Sequence, residues 1–265
     1  MAKTAFMPDI NKGSTVDRRV MILQKLAEYG QVDVISLSKE LGVSEVTIRN
    51  DLTRLEDKKM LIRARGGAFK TTGVGTDFHL SDKNKQHLDE KKRIGQAAAK
   101  LIEDGDTIIL DSGTTTIEIT RHLSNLSNLT IITNALNVAN ELVELPNINV
   151  IIPGGFLRKN SLSLIGATAE DSFKNYFCDK LFLAVDGFSA IHGLSTPNVE
   201  EAHLNRIMIE ISKKVIVVAD SSKFSKRSLA LIAPITKVDM VITDSGILPE
   251  DQKKLENDGI EVIIA

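Results

Sequence analysis

Short apolar runs rich in Val, Ile and Leu alternate with helix-like segments from Asp106 to the end of the chain. Continuous apolar strands need cover on both faces, so the pattern predicts a mostly parallel sheet between helices. The predicted strands are Thr107–Leu110, Leu129–Thr133, Val150–Ile152, Lys180–Val185, Val215–Ala219, Met240–Thr243 and Val262–Ile264. The predicted helices are Thr115–Leu123, Ala135–Leu145, Thr168–Tyr176, Val199–Ser212 and Pro249–Asp258.

Residues 15–70 show a different pattern, which predicts a winged helix-turn-helix domain. Apolar residues recur at helical spacing in three segments, and a Gly-Gly turn between apolar flanks then indicates a β-hairpin. The predicted elements are a helix at Asp17–Tyr29, a short strand at Gln31–Val34, a helix at Leu37–Leu41 capped by Ser36, a helix that begins at Ser44, and the hairpin Met60–Lys70.

The third of these helices has an outward face suited to DNA. Ser44 is a good N-cap, and Ile48 and Leu52 turn inward. Polar and basic side chains on the opposite face can bond phosphates and base edges in the major groove, while basic residues of the hairpin reach phosphates or the minor groove. The predicted DNA-binding residues are Ser44, Glu45, Thr47, Arg49, Asn50, Arg54, Arg63, Arg65 and Lys70.

Charge separates the two parts of the chain. Residues 1–70 contain 13 Lys and Arg against 9 Asp and Glu, whereas the rest contains 20 against 26. A basic segment joined to a larger acidic one is typical of a nucleic-acid-binding domain attached to a second function. The single cysteine, Cys178, excludes an intramolecular disulfide, so we expect a buried structural thiol in a reducing cytoplasm. No apolar run reaches the roughly 18 residues of a membrane helix.

The sequence therefore predicts four segments along the chain. A stretch without periodicity, rich in Gly and Thr, marks the boundary between the two domains. The segments are a flexible N-terminal tail at 1–14, the winged helix-turn-helix domain at 15–70, a linker at 71–80 and an α/β effector-binding domain at 81–265, which begins with a long helix at Ser81–Glu103.

Polar residues cluster where the predicted strands end, which is where parallel sheets bind ligands. The first strand leads into DSGTTT, a glycine-containing turn whose hydroxyls and backbone N–H groups suit an anion. Carboxylates, amides and a lysine after the other strands would bind the hydroxyls and phosphate of a phosphorylated sugar. Residues 193–202 are predicted as a turn in which Asn198 caps the next helix. The predicted effector-binding residues are Asp111, Ser112, Gly113, Thr114, Thr115, Thr116, Asn134, Gly154, Gly155, Asp186, Thr196, Asn198, Glu200, Glu201 and Lys223.

Both parts of the chain resemble the DeoR family of bacterial regulators. The N-terminal similarity lies in Arg18, Ile22, Leu26, Ser44 and the run Thr47–Leu52. The C-terminal similarity lies in LDSGTTT, TNALNVA, PGG, DGF, GLSTPNVEEAHLNR and VVADSSKF, in the family's order. Within the family, the chain is most similar to the repressors of N-acetylgalactosamine and galactosamine catabolism.

The resemblance implies a sensor domain similar to ribose-5-phosphate isomerase and glucosamine-6-phosphate deaminase. It implies a sugar-phosphate effector held by Asp111–Thr116 and neighbouring strand-end residues. It also places Ser44, Thr47, Arg49 and Asn50 on the DNA face, with Asp51 orienting Arg49 or capping locally.

The leading functional hypothesis is a repressor that leaves its operator when a phosphorylated sugar or amino sugar binds. We expect a homo-oligomer, dimeric or larger, because one winged helix reads too few base pairs. We expect no cofactor, no metal and no membrane partner, since the five histidines lack metal-ligand spacing. Binding could also favour the DNA-bound arrangement and make an activator.

Two alternatives remain at this point. The first is an active sugar-phosphate isomerase or deaminase that also binds DNA, with Asp186, Glu200 or Glu201 as the base. The second is a DNA-binding protein whose larger domain only oligomerises, which would leave the polar strand ends without a role.

Overall fold

The computed structural model describes residues 15–29, 31–58, 60–64, 66–70, 77–84 and 86–265, which form two compact units. One unit holds the described residues up to 70, and the other holds those from 77 onward. The predicted tail at 1–14 and most of the predicted linker, residues 71–76, lie outside the described residues.

The smaller unit is a winged helix-turn-helix, as predicted. Its three strands form an antiparallel sheet in the order β1-β3-β2. Its elements are α1 (Thr15–Tyr29), β1 (Gln31–Asp33), α2 (Val34–Leu41), α3 (Glu45–Asp57), β2 (Leu61–Ala64) and β3 (Gly67–Lys70).

Local capping residues determine where α2 ends and where α2 and α3 begin. Gly42 ends α2 in the left-handed region, with φ of 63°. The Ser44 side chain then caps α3 by accepting from the backbone N–H of Thr47 at 3.2 Å. The predicted cap of α2 was wrong: the helix starts at Val34, and the Asp33 carboxylate accepts from the backbone N–H of Ser36 at 2.9 Å. Asp33 caps this helix in place of Ser36 because a carboxylate is a stronger hydrogen-bond acceptor than a hydroxyl.

A buried carboxylate joins the first and third helices. Asp51 is 2% exposed and accepts from Arg18 Nε at 2.5 Å and from Arg19 Nε at 2.7 Å. The expectation that Asp51 orients Arg49 or caps locally was therefore wrong. Asp51 faces inward beside Leu52, so its charge is balanced from α1.

The larger unit contains a seven-stranded parallel sheet in the order β15-β14-β12-β9-β4-β5-β6, which confirms the predicted fold class. Its elements up to the middle of the sheet are α4 (Leu80–Lys83), α5 (Leu88–Ala99), β4 (Thr107–Leu110), α6 (Thr116–Thr120), β5 (Leu129–Ile132), α7 (Leu136–Leu142), β6 (Ile148–Ile151), β7 (Phe156–Arg158), β8 (Ser163–Ile165) and α8 (Ala167–Phe173). The remaining elements are β9 (Cys178–Leu183), β10 (Gly187–Ser189), β11 (Gly193–Thr196), α9 (Val199–Glu210), β12 (Ser212–Val218), β13 (Ala230–Ala233), β14 (Met240–Thr243), α10 (Pro249–Asn257) and β15 (Glu261–Ile264).

Apolar layers cover both faces of this sheet. Along β12, Val215 and Val217 pack into one layer, whereas Ile216 and Val218 pack into the other. Alternate residues of a strand point to opposite faces, so a strand buried on both sides must be apolar throughout. Cys178 lies buried in the first layer, where burial raises the pKa of its thiol to about 11.

The predicted helix at Ser81–Glu103 was wrong, because the chain breaks it into α4 and α5. His87 takes a left-handed conformation, with φ of 54°. The buried ammonium of Lys91 donates to the carbonyl oxygens of Lys83 and Gln86, each at 2.6 Å. These carbonyls are thus satisfied by a side chain at the point where the helix stops.

Two further differences concern short strands. Residues 193–202 are not one turn, since Gly193–Thr196 forms the central strand of a second sheet ordered β10-β11-β13. Asn198 does cap α9, accepting from the backbone N–H of Glu201 at 2.9 Å. The hairpin of β7 and β8 was not predicted, because three-residue strands leave little periodicity in the sequence.

The buried Asp51 gives a test of the smaller unit. Asp51→Asn should destabilise it by roughly 1–3 kcal/mol, less than a fully buried pair, because both guanidinium groups keep partial exposure to water. Hydrogen exchange of the amides of α1 and α3 in the full chain would measure this. Asp57→Asn, at the exposed end of α3, is the matched control. Unchanged exchange in Asp51→Asn would contradict the role of the pair.

Candidate functional site

The outward face of α3 carries polar and basic side chains. Ser44, Arg49, Asn50 and Arg54 are exposed. Arg49 donates from its guanidinium to Glu45 Oε2 at 2.6 Å, one helical turn away. This pairing holds the Arg49 side chain along the helix surface while leaving it 51% exposed. Thr47 lies beside Ser44, with 2.9 Å between their hydroxyl oxygens.

The predicted hairpin residues lie differently with respect to this face. The Arg63 guanidinium donates to Thr53 Oγ1 at 2.7 Å, so its side chain lies against α3. Arg65 lies outside the described residues, and of Lys70 only the backbone is described, at the end of β3.

A small pocket lies beyond the carboxyl ends of β4, β9 and β12, which are neighbours in the sheet. Its volume is about 50 Å³. It is lined by nine of the residues that the sequence predicts as effector-binding, namely Asp111, Ser112, Gly113, Thr114, Thr115, Asp186, Thr196, Glu201 and Lys223.

The turn after β4 forms one wall of the pocket. Gly113 is required there, because a Cβ at this position would lie 2.6 Å from the Cβ of Ala184. Asp111 is buried and accepts from the backbone N–H of Ala184 at 3.3 Å. Burial raises the pKa of Asp111 to about 7, and the nearby Glu201 carboxylate adds to the rise. A carboxyl in this state can donate or accept a hydrogen bond near neutral pH.

Glu201 is buried in a dense set of hydrogen bonds. Its Oε1 accepts from Ser161 at 2.5 Å, from Ser163 at 3.0 Å and from the Arg158 guanidinium at 3.1 Å. Its Oε2 lies 3.4 Å from the hydroxyl of Thr196. The Arg158 charge and the hydroxyls compensate for the burial of this carboxylate.

Asp186 is the third carboxylate of the pocket and is paired with two lysines. Lys83 Nζ lies 2.6 Å and Lys223 Nζ 3.9 Å from Asp186 Oδ1. Burial alone would raise the pKa of Asp186, but the two ammonium groups hold it below its ordinary value. The pocket thus combines a glycine-containing turn, two ammonium groups and carboxylates.

The other predicted effector residues do not line the pocket. Thr116 is buried and donates to the Gly113 carbonyl at 3.1 Å, and Asn134 donates to the Leu164 carbonyl at 3.3 Å. A Cβ on Gly155 would lie 2.8 Å from the Ile165 carbonyl oxygen. These six residues follow strand ends but serve turns, caps or the surface in the structure, so their contact with an effector stays a prediction. The six are Thr116, Asn134, Gly154, Gly155, Asn198 as the cap of α9, and the exposed Glu200.

Several lining residues were missed by the sequence reasoning. Lys83 comes from α4, and Asn160 and Ser161 come from the β7–β8 loop, so none of them directly follows a strand of the parallel sheet. No local pattern identifies them. Asn205 carries a usable signal, since it is a polar residue on the buried face of α9.

Comparison with known proteins adds to this geometry. The family described as "DeoR-like helix-turn-helix domain" matches residues 18–72, and "DeoR C terminal sensor domain" matches residues 86–245. Both matches confirm the resemblance predicted from the sequence motifs.

Relatives of known name match nearly the whole chain. A protein of Escherichia coli O157:H7, provisionally named as the aga operon transcriptional repressor, is 42% identical over 94% of each chain. The HTH-type transcriptional repressor GlcR of Bacillus subtilis is 34% identical over 94% of this chain and 95% of its own. The HTH-type transcriptional regulator GlpR of Haloferax volcanii is 34% identical over 93% and 96%.

Among solved structures, ribose 5-phosphate isomerase A of Methanocaldococcus jannaschii aligns with a TM-score of 0.40 and 19% identity, over 53% of this chain and 56% of that chain. Within the described residues, no helix is long and apolar enough to cross a membrane. The same residues contain no group of three or more His, Cys, Asp or Glu side chains that could hold a metal ion.

The raised pKa of Asp111 predicts a pH-dependent stability. Between pH 4 and 7 the folded state binds more protons at Asp111 than the unfolded state, so this residue's contribution to stability is lost as pH rises through about 7. Asp111→Asn should therefore gain roughly 1–4 kcal/mol relative to the parent between pH 4 and 8, since one pKa unit is worth ~1.4 kcal/mol. Urea unfolding at each pH measures it. The exposed Asp89→Asn should show no such trend, and a pH-independent difference for Asp111→Asn would sink the assignment.

Proposed function

Because the chain belongs to the DeoR family of transcription regulators, we propose that it represses an operon of sugar or amino-sugar catabolism. It leaves its operator when a phosphorylated sugar occupies the strand-end pocket. The observation that carries this proposal is the pocket itself, which places the Asp111–Thr115 turn beside Lys83 and Lys223. Backbone N–H groups and ammonium groups are the donors that phosphate prefers.

The rest of the pocket suits the sugar part of such a ligand. Asp111, Glu201 and Asn205 offer carboxyl and amide groups, which bind hydroxyls and, in an amino sugar, an ammonium. The name of the Escherichia coli relative supports a catabolic operon as the target. An effector coupling of ~1–3 kcal/mol would change operator affinity by roughly 5–150-fold.

The exposed face of α3 is the surface proposed to read the operator. Arg49 and Arg54 can bind guanine or phosphate, and Asn50 can bind adenine. Glu45 forms an ion pair with Arg49, so its proposed role in operator binding is to position the Arg49 side chain. One such helix covers few base pairs, so we infer a homo-oligomer, a dimer or larger, on paired half-sites. An operator partner also implies a cytoplasmic location.

We infer sensing without catalysis. Asp186, a candidate base, has a lowered pKa because of Lys83 and Lys223, which makes it a weak proton acceptor. Glu201 Oε1 already accepts three hydrogen bonds, one of them from the Arg158 guanidinium, which leaves Oε2 for a ligand hydroxyl. The observation that favours the alternative, an isomerase or deaminase, is Asp111, whose pKa of about 7 is that of a usable general base.

Arg49→Ala tests the DNA surface. Loss of the Arg49 side chain should weaken operator binding by roughly 1–3 kcal/mol, about 5- to 150-fold in Kd, if the guanidinium contacts a base or phosphate. Fluorescence anisotropy on a duplex selected in vitro by the parent protein measures this. Arg121→Ala is the matched control, because Arg121 is also about half exposed and paired with a glutamate within one turn of its helix. Equal affinity of Arg49→Ala and the parent would contradict the surface.

A comparison of sugar-phosphate binding to the parent protein and to Lys223→Ala tests the pocket. The ligands are the phosphates of galactosamine, N-acetylgalactosamine, tagatose, fructose and ribose. A ligand of the folded state raises its stability by RT ln(1 + [L]/Kd), so one phosphate should shift the melting temperature of the parent protein. Lys223→Ala should lose most of that shift, and the exposed Lys213→Ala should keep it. NMR of the same mixtures should show no conversion of the sugar. An unphosphorylated sugar that shifts the melting temperature of the protein as much as its phosphate does would contradict the proposal.

A further inference from the structure

Residues 77–84, here called the strap, line the pocket from outside the sheet. They include α4 and lie between the two family matches, which end at 72 and begin at 86. Even so, Leu80 and Lys83 contribute directly to the pocket wall. A segment that neither family match contains thus completes the proposed effector site.

Specific contacts hold the strap against the β7–β8 loop. The backbone N–H of Leu80 donates to the Asn160 carbonyl at 2.8 Å. Asp77 pairs with Arg158 and accepts from the Asn160 side chain at 2.9 Å. Arg158 also binds Glu201 on the far side. The strap and this loop therefore form one cover, tied to a carboxylate of the pocket.

Lys83 adds an ion pair that joins the strap to the pocket. Its ammonium lies 2.6 Å from Asp186 Oδ1, and both side chains are about one-fifth exposed. The pocket volume is about 50 Å³ while this ion pair is formed, which is small beside ligand sites on the order of 300–1,000 Å³. A pocket of this volume fits a sugar phosphate better after part of the wall moves.

The strap is the part of the wall best able to move. Most of the other lining residues follow strands of the parallel sheet or belong to α9, which are bonded and packed into the core, and the rest lie in the β7–β8 loop and at the end of β11. The strap forms no strand, and its one helix is a single turn. A segment outside the hydrogen-bonded sheet opens locally at a lower free energy than a core strand.

We propose that the strap is the gate of the pocket and that the Lys83–Asp186 ion pair is its lock. A ligand oxyanion takes the Lys83 ammonium from Asp186, so the strap is released from Asp186 and shifts together with Lys83 as the ligand enters. This inference rests on the proposed function for the class of ligand, but the lock can be tested without one.

The first arm uses the full-length protein without ligand. Lys83→Ala should speed hydrogen exchange in the peptide covering 78–84 by about fivefold or more, because the lock is lost. Asp186→Asn should have a similar effect on the strap, and the double variant should add little there, since both changes break the Lys83–Asp186 pair. Lys92→Ala, an exposed lysine of α5, is the matched control. Unchanged exchange in Lys83→Ala, or full additivity in the double variant, overturns the lock.

The second arm adds tagatose 6-phosphate, galactosamine 6-phosphate or inorganic phosphate to the parent protein. Slower exchange at 111–116 reports binding itself, and faster exchange at 78–84 reports opening of the gate. Protection of the turn with no change in the strap overturns the gate. If no probe protects the turn, the proposed effector class fails, while the ligand-free arm still decides the lock.

Discussion

Burial of both faces of the parallel sheet is the constraint on which the rest of the larger unit depends. The carboxyl-terminal parts of the central strands, Ile108–Leu110, Leu181–Leu183 and Val215–Val218, are apolar, so polar side chains of the site appear just after these strands end. Because β12, β9 and β4 run in the same direction side by side, the residues after them meet at one edge. The pocket is therefore a consequence of sheet direction, and its chemistry is set by a few residues after each strand.

Charge balance is the second constraint on that edge. Three carboxyl groups, of Asp111, Asp186 and Glu201, lie within one pocket, and each avoids the full cost of burial in a different way. Asp186 is balanced by lysines, Glu201 is balanced by Arg158 and hydroxyls, and Asp111 takes up a proton more readily. An arriving phosphate or ammonium would change all three environments together, which is the property that a sensor needs.

Sequence patterns predicted the parts of the molecule that local chemistry decides. The strands, the Ser44 cap of α3 and the turn at Asp111–Thr115 each depend on neighbours within a few residues, so their patterns are visible in the chain. The partners of Asp51 and the place of Lys83 were not predictable, because both depend on residues distant in sequence. The split between α4 and α5 was also hidden, because a lysine in a helical pattern is ordinarily exposed, whereas Lys91 is buried and binds the carbonyls of Lys83 and Gln86.

The position of the strap also has a practical consequence. The family matches invite division of the chain at residue 86, which would produce a sensor fragment without Leu80 and Lys83. Such a fragment would retain the sheet and the Asp111–Thr115 turn but would leave Asp186 without its nearer lysine. Ligand affinities measured on this fragment would describe a pocket that lacks part of its wall. Protein fragments used in ligand screens should therefore begin no later than residue 77.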